Sequence, residues 1–250
     1  MNAPLQQCTV STPGRICLFG EHQDYLLLPV IPCAISLRLT ISGHRRPDDE
    51  VRLELPDIAS HQTFSLNTTL DYTRERDYFR SVLNVLRRRG MTFSSGFDCV
   101  VHGTIPISAG TSSSSAMVVS WVQFLAQMSD QRMALSRLDC GQVAHEAEVL
   151  EFDEPGGAMD QYSTALGGAM AIDFAPAFAV TGLSAPLGTF VLGDSEEPKD
   201  TKAILSRVKN RVLNIVTRLT SQCPTFSLLE ATSAELAPLT ARLAPEEARL

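Results

Sequence analysis

Lysine is nearly missing from this 250-residue chain: of 21 basic residues only Lys199, Lys202 and Lys209 are lysines, and none stands earlier. A Walker phosphate loop, G-x-x-x-x-G-K-[ST], is therefore excluded before residue 199. G-x-G-x-x-G is also missing, which disfavours a dinucleotide-binding turn and a protein-kinase loop. G-x-S-x-G is absent, so a nucleophile elbow is not expected. His145-Glu146 opens like H-E-x-x-H, but Val149 stands where the second histidine would be needed. The six cysteines (Cys8, Cys17, Cys33, Cys99, Cys140, Cys223) form no C-x-x-C pair and show no zinc spacing. Several lie inside apolar runs and read as small core residues.

Long hydrophobic runs are lacking too. None reaches the roughly 18 apolar residues of a membrane span, and MNAPLQQCTV has neither a basic n-region nor an apolar h-region. The expectation is a soluble, cytoplasmic protein with no membrane partner. Positive charge is in deficit, with Lys+Arg 21 against Asp+Glu 28 and a net charge of −7, which argues against a nucleic-acid partner. The basic run at 87–89 precedes Gly90, where a helix would end, and cations suit that pole.

What is present suffices for a core, since 44% of residues are hydrophobic and 20% charged. Residues 8–12 and 16–19 read as strands interrupted by the turn pair Pro13-Gly14. Leu37, Leu39 and Ile41, then Val51, Leu53 and Leu55, alternate with polar residues, and the polar loop between them predicts an antiparallel hairpin. Tyr78, Phe79, Val82, Leu83 and Leu86 share one face of a helix over about 74–89. Residues 97–101 are strand-like. A buried helix follows the serine run, and a second spans about 135–152. A short helical piece lies between two glycine pairs, and a strand covers 169–174. Residues 175–186 read as a boundary, followed by a strand at 189–192. A long amphipathic helix then carries Leu205, Val208, Val212, Ile215, Val216 and Leu219. Strands and helices so mixed predict an α+β fold rather than a doubly wound sheet.

Three stretches could do chemistry. The loop over 106–115 delivers four serines onto a helix N-terminus, where free N–H groups, hydroxyls and the helix dipole suit a phosphate. The competing readings are a flexible linker or an elaborate cap; the apolar helix that follows at once argues against a linker. The stretch PGRICLFGEHQDY (13–25) crowds an arginine, two acids and a histidine behind a strand, as a ligand rich in hydroxyls would need, or as a salt-bridged turn would show. Asp160 opens a helix after Gly156-Gly157, where an acid is favourable in any case.

Together the three resemble a GHMP-family small-molecule kinase of the galactokinase branch. PGRICLFGEHQDY resembles the signature PGR-x-N-L-I-G-E-H-x-D-Y. GTIPISAGTSSSSA (103–116) resembles the phosphate loop P-x-G-x-G-L-S-S-S-A. EPGGAMDQYSTALGG (154–168) resembles C-G-I-M-D-Q-x-x-x-x-L-G. Their order and separations are family-like, and the match covers roughly residues 8–210. The resemblance implies a ribosomal-protein-S5-domain-2-like α+β N-terminal domain over 1–178, then the start of a GHMP-kinase C-terminal α+β domain, incomplete over 179–250. It implies ATP, Mg²⁺ and a sugar as ligands. Asp160 would be the catalytic aspartate and Arg15 the arginine steadying it and the transferring phosphoryl group. Ser114 and Glu148 would hold the magnesium ion. Glu21, His22, Asp24 and Gly157 would contact the sugar. Pro106, Ser108, Ala109, Gly110, Thr111, Ser112, Ser113 and Ser114 would cradle the phosphates. Gly141 and Ala144, on the helix face of Glu148, would leave room for the nucleotide.

Four departures bear on the substrate. Ser108 replaces a glycine, Leu26, Leu27 and Leu28 replace glycines beyond the first signature, and Ala203-Ile204 replaces a Tyr-Asn pair. The third family motif, G-A-G-x-G-G, does not occur in these residues. The activity implied is phosphoryl transfer from ATP to a monosaccharide hydroxyl, the anomeric C-1 hydroxyl by analogy. The alternative is a non-catalytic sugar and nucleotide sensor, or a truncated inactive fragment.

Overall fold

Two long strands frame the first half of the chain. β1 (Gln7–Phe19) and β2 (Ile31–Arg45) pair antiparallel from Gln7↔His44 to Phe19↔Ile31. The chain was analysed as a computed structural model, which describes residues 5–67, 70–193, 201–241 and 243–244, with backbone alone over 201–204. Lys199 and the side chains of Lys202, Ala203 and Ile204 lie outside the described residues. Pro13-Gly14 does not divide β1; it makes a register shift between Pro13 and Arg15 within one strand. β1 pairs only with β2, and a strand with a free side tolerates a proline that has no N–H to donate.

β3 (Glu50–Leu55) and β4 (Ser60–Ser65) form a hairpin. The expected hairpin of β2 with β3 is not formed. β5 (Phe97–Gly103) lies between them, antiparallel to β2 and parallel to β3. β6 (Ala169–Asp173) and β7 (Ala179–Leu183) complete a seven-stranded sheet ordered β4-β3-β5-β2-β6-β7, with β1 alongside β2. β7 occupies the stretch expected to be a boundary, so the β6–β7 hairpin straddles residue 178. Residues 189–192, expected as a strand, form none, and Val191 is almost fully exposed.

Helices α1 (Tyr78–Arg88), α2 (Ser113–Met128) and α3 (Arg137–Glu148) cover one face. α1 starts later than its apolar pattern suggests, behind Asp77, and ends at Gly90 in the left-handed region (φ 88°), its last carbonyls taken by Gly90 and Met91. α2 is apolar on most sides because it is enclosed on most sides. Ala116, Val118, Val119, Trp121, Val122, Phe124, Leu125 and Met128 are all fully buried. Phe79, Trp121, Phe124 and Phe97 pack in series at centroid separations of 5.5, 5.4 and 5.7 Å, edge-to-face at both ends and stacked between Trp121 and Phe124, and Trp121 Nε1 donates to the Phe79 carbonyl at 3.1 Å. The Thr12 hydroxyl lies 2.7 Å from Ser120 Oγ and donates to the Ala116 carbonyl at 2.8 Å, pinning β1 to α2.

α4 (Met159–Leu166) follows a short 3₁₀ turn and packs on α3 and β1. α5 (Thr201–Gln222) has the expected amphipathic face, with Ile215 and Leu219 buried, and α6 (Ser233–Thr240) opens on a capping box from Thr232. All six cysteines are free, with Cys33, Cys99 and Cys140 buried as small core residues. Among the described residues no helix is long and apolar enough to cross a membrane. Trp121→Ala removes the centre of the aromatic series and is expected to lower stability by about 3–5 kcal/mol in urea denaturation; a loss under about 1 kcal/mol would show that this stack does not anchor the core.

Candidate active site

The three sequence stretches converge on one cleft of about 560 Å³ between the end of β1, the loop before α2 and the N-terminus of α4. Arg15 is the junction. Its backbone N–H donates to the Thr111 carbonyl at 3.1 Å, which holds the loop against β1. Gly14 permits this approach, since a Cβ there would stand 2.8 Å from the Thr111 oxygen. The Arg15 guanidinium is buried and reaches three segments. Nε and Nη2 bind Asp160 Oδ1 at 2.8 and 2.6 Å, Nη1 donates to the Gly110 carbonyl at 2.6 Å, and Nη2 lies 3.5 Å from Glu21 Oε1. Burial alone would lower its pKa, but the Asp160 and Glu21 carboxylates outweigh burial and raise it.

The loop runs through three left-handed residues, Ser108 (φ 60°), Gly110 (φ 75°) and Ser112 (φ 59°). Ser108 thus adopts the conformation for which a glycine is the unstrained choice. Ser112 precedes α2 without capping it, and its buried hydroxyl has no partner. The first amides of α2 have no intrahelical acceptor and lie at the cleft with Ser113, Ser114 and Ser115. Not every loop residue faces the cleft. Ser108, Gly110 and residues 112–114 line it, whereas Pro106, Ala109 and Thr111 do not. Thr111 is buried, its carbonyl taken by Arg15 and its hydroxyl directed to the Pro106 carbonyl at 3.4 Å.

Glu148, the last residue of α3, is buried at the floor of the cleft. Its Oε2 accepts from Gln161 Nε2 at 2.7 Å, and the same Nε2 lies 3.4 Å from Ser115 Oγ. Burial raises its pKa; the Gln161 bond and the neighbouring Ser115 and Ser114 hydroxyls oppose the rise, and the charge of Asp160 adds to it. No ion pair to Glu148 occurs among the described residues. A buried carboxylate without a counter-charge, beside a serine hydroxyl and a phosphate-type loop, fits a divalent cation that keeps several of its own oxygen ligands. Ser114 and Glu148 are the residues that would hold it. Neither residue expected to leave room for a nucleotide does so: Ala144 is fully buried in the core, and the space beside Gly141 belongs to Tyr162, 2.7 Å from where a Cβ would stand.

Beyond β1, Glu21 and His22 are partly exposed, with His22 Nδ1 3.5 Å from Glu21 Oε1 and His22 in the left-handed region (φ 60°). Asp24 is buried instead. Its Oδ2 accepts the Met159 N–H and its Oδ1 the Tyr25 N–H, both at 3.0 Å. Burial raises its pKa and the Met159 bond opposes this. Gly157 faces that carboxylate so closely that a Cβ would stand 2.6 Å from Asp24 Oδ1. Cys17, near Glu21, has its thiol pushed up to about 11 by burial, so it is no nucleophile.

Sequence reasoning missed four cleft residues. Gln161 donates to Glu148 and contacts Ser115, and both lie inside the quoted motifs, adjacent to Asp160 and Ser114. Arg76 and Glu154 form a paired bridge at 2.9 and 2.8 Å on the cleft wall, 78 residues apart, a separation no local pattern signals. The lining also includes the apolar side chains of Leu55, Ile58, Val101, Ile107 and Met117.

This architecture has relatives. Residues 77–168 match the GHMP kinases N terminal domain, and residues 2–45 match the galactokinase galactose-binding signature. The chain is 34% identical over 165 residues to a galactokinase of Haemophilus influenzae, covering 65% of this chain and 42% of that protein. It is 32% identical over 161 residues to the galactokinase of Pasteurella multocida, covering 63% and 41%. It therefore spans about two fifths of the length of these relatives. The fold of Lactococcus lactis galactokinase complexed with galactose superposes with a TM-score of 0.81 at 22% identity, over 97% of this chain and 66% of that one. Mevalonate kinase of Methanococcus jannaschii gives 0.64 at 17% identity, over 93% and 76%. Both family models, the order of the motifs and the α+β fold agree: the chain carries a GHMP kinases N terminal domain with a galactokinase galactose-binding signature ahead of it.

Proposed function

We propose that this chain carries the acceptor and phosphate sites of an ATP-dependent sugar kinase that phosphorylates a monosaccharide hydroxyl, the anomeric C-1 hydroxyl in our reading. The observation that carries this is Asp160 held by a buried arginine that also binds the Gly110 carbonyl of the phosphate-type loop. One guanidinium thereby sets the distance between a proton acceptor and a phosphate cradle. Phosphoryl transfer asks mainly for such positioning and for charge neutralisation.

In this reading the sugar lies against Glu21, His22 and Asp24, and its reacting hydroxyl points at Asp160. The hydroxyl oxygen attacks the γ-phosphorus, the bond from the γ-phosphorus to the β,γ-bridging oxygen breaks, and ADP leaves. The hydroxyl proton passes to the Asp160 carboxylate. Arg15 offsets charge on Asp160 and on the transferring group. The loop serines and the N-terminal amides of α2 receive phosphate oxygens, and the apolar side chains of the lining suit the flat base. A magnesium ion on Ser114 and Glu148 supplies further neutralisation of the phosphates when bound. A cytoplasmic setting is part of the same proposal. Galactose, the ligand of the Lactococcus lactis relative, heads the acceptors to be tried. Leu26, Leu27 and Leu28 alter the chain beside Tyr25, so arabinose, fucose, glucuronate and a heptose belong beside it.

The test is ADP release with ATP, Mg²⁺ and this panel. Turnover with one sugar is expected, and Asp160→Asn should lower kcat by about 10²–10⁴-fold. An unchanged rate in Asp160→Asn overturns the mechanism. Nucleotide and sugar binding by titration calorimetry with no ADP formed would instead favour a non-catalytic sensor.

The buried Glu148 gives a second prediction. Because its folded pKa is raised, the folded state holds the extra proton, and stability falls as pH climbs from the ordinary carboxylate range through that raised value. Glu148→Gln should remove this loss and stabilise the apoprotein at pH 7 by about 1–2 kcal/mol. The same change should weaken Mn²⁺ binding by about tenfold or more, read by electron paramagnetic resonance. A variant that binds Mn²⁺ as well as the parent would remove Glu148 from the cation site.

A further inference from the structure

An eight-residue helix carries Asp160, and nothing adjacent in sequence secures its start. The residue before α4 is Ala158, which has no side chain to cap with. The cap comes from far upstream. Asp24, 135 residues earlier, places Oδ2 at 3.0 Å from the Met159 N–H while Oδ1 is held by the Tyr25 N–H. The carboxylate is buried, and the backbone opposite it is Gly157, where any side chain would collide with it. Asp160 follows Met159 directly and is gripped by Arg15 of β1. The first turn of α4 is thus fixed at two points, its Met159 N–H to Asp24 of the β1–β2 connection and its Asp160 side chain to Arg15 of β1.

We propose that Asp24 is a positioning residue whose carboxylate anchors the N-terminus of α4, setting the place of Asp160, and that Gly157 is the vacancy this anchor requires. The consequence for turnover rests on the sugar-kinase reading above; the anchoring itself does not. A carboxylate at a helix N-terminus satisfies an orphan N–H and meets the positive end of the dipole. This role differs from contact with a sugar hydroxyl in what each predicts. A residue that only binds sugar acts on the sugar KM and leaves the slow transfer of phosphoryl to water untouched. A residue that positions Asp160 acts on kcat, and on transfer to water as well.

The test compares Asp24→Ala, Asp24→Asn and Gly157→Ala in the full chain. Amide hydrogen exchange read at the peptide covering residues 159–163 should accelerate by about tenfold in Asp24→Ala and in Gly157→Ala. Asp24→Asn, whose amide oxygen can still accept the Met159 N–H, should restore most of the protection. In the kinase assay, Asp24→Ala should lower kcat by about tenfold to a hundredfold, with ATP hydrolysis to water falling in parallel; the sugar KM rises as well, since the proposed function sets the sugar against Asp24. If Asp24→Ala does not fold, Gly157→Ala tests the same displacement with the carboxylate retained. Unchanged exchange at 159–163 overturns the anchoring, and an unchanged kcat with intact hydrolysis to water overturns the positioning role. If the parent chain turns over no sugar, the kinase reading falls, and the exchange data alone decide the anchoring.

Discussion

The buried Arg15 guanidinium is the constraint on which the site depends. A charge taken out of water is stable only where its donors are met and opposite charge is near. Arg15 meets both needs by drawing in Asp160, Glu21 and the Gly110 carbonyl. Those partners come from α4, from the turn beyond β1 and from the loop before α2. The folding requirement and the proposed chemistry therefore coincide, because the group that must be neutralised is the one that sets the spacing of acid and loop.

The rest of the scaffold keeps these segments from drifting. α2 is enclosed by the sheet on one side and by α1 and α3 on the other, so its serine-bearing N-terminus has little freedom. Thr12 ties β1 to α2 a few residues ahead of Arg15, and Arg15 itself closes the loop onto β1. α3 ends at Glu148 under the same loop, and Gln161 joins it to α4. The polar cleft is rigid because each element that contributes to it is also anchored in the apolar core.

Much of this was legible in the residues. The α2 helix, the face of α1 and the three polar stretches all carry local signals, periodicity or motif, and the structure brings the three stretches to one cleft. What failed is what periodicity does not encode. Alternation in 37–41 and 51–55 shows that each strand has one buried face but not which strand neighbours it, and β5 intervenes. β4, SHQTFS, buries only Phe64 and so has almost no apolar signal, while β7, AVTGL, is an exposed edge of small residues that resembles a linker. Asp24 was legible as a polar residue of the site, but its attachment to Met159 spans 135 residues and needed coordinates.

The scarcity of lysine acquires a physical meaning once the cleft is assembled. Among the described residues its lining includes Glu21, Asp24, Asp57, Glu148, Glu154 and Asp160 but only Arg15 and Arg76 as arginines, and Arg76 is already paired with Glu154. Such a surface repels a bare triphosphate. The neutral donors of the loop and the α2 dipole relieve part of that repulsion, but a half-charge at a helix end is small against several phosphate charges. In the proposed function the remainder would arrive with the nucleotide, as the divalent cation that Glu148, without an ion pair among the described residues, is suited to receive. Where a Walker loop keeps a permanent lysine, this reading leaves the matching charge to a bound ion, so that affinity for nucleotide and the charge state of Glu148 would be two readings of one electrostatic balance.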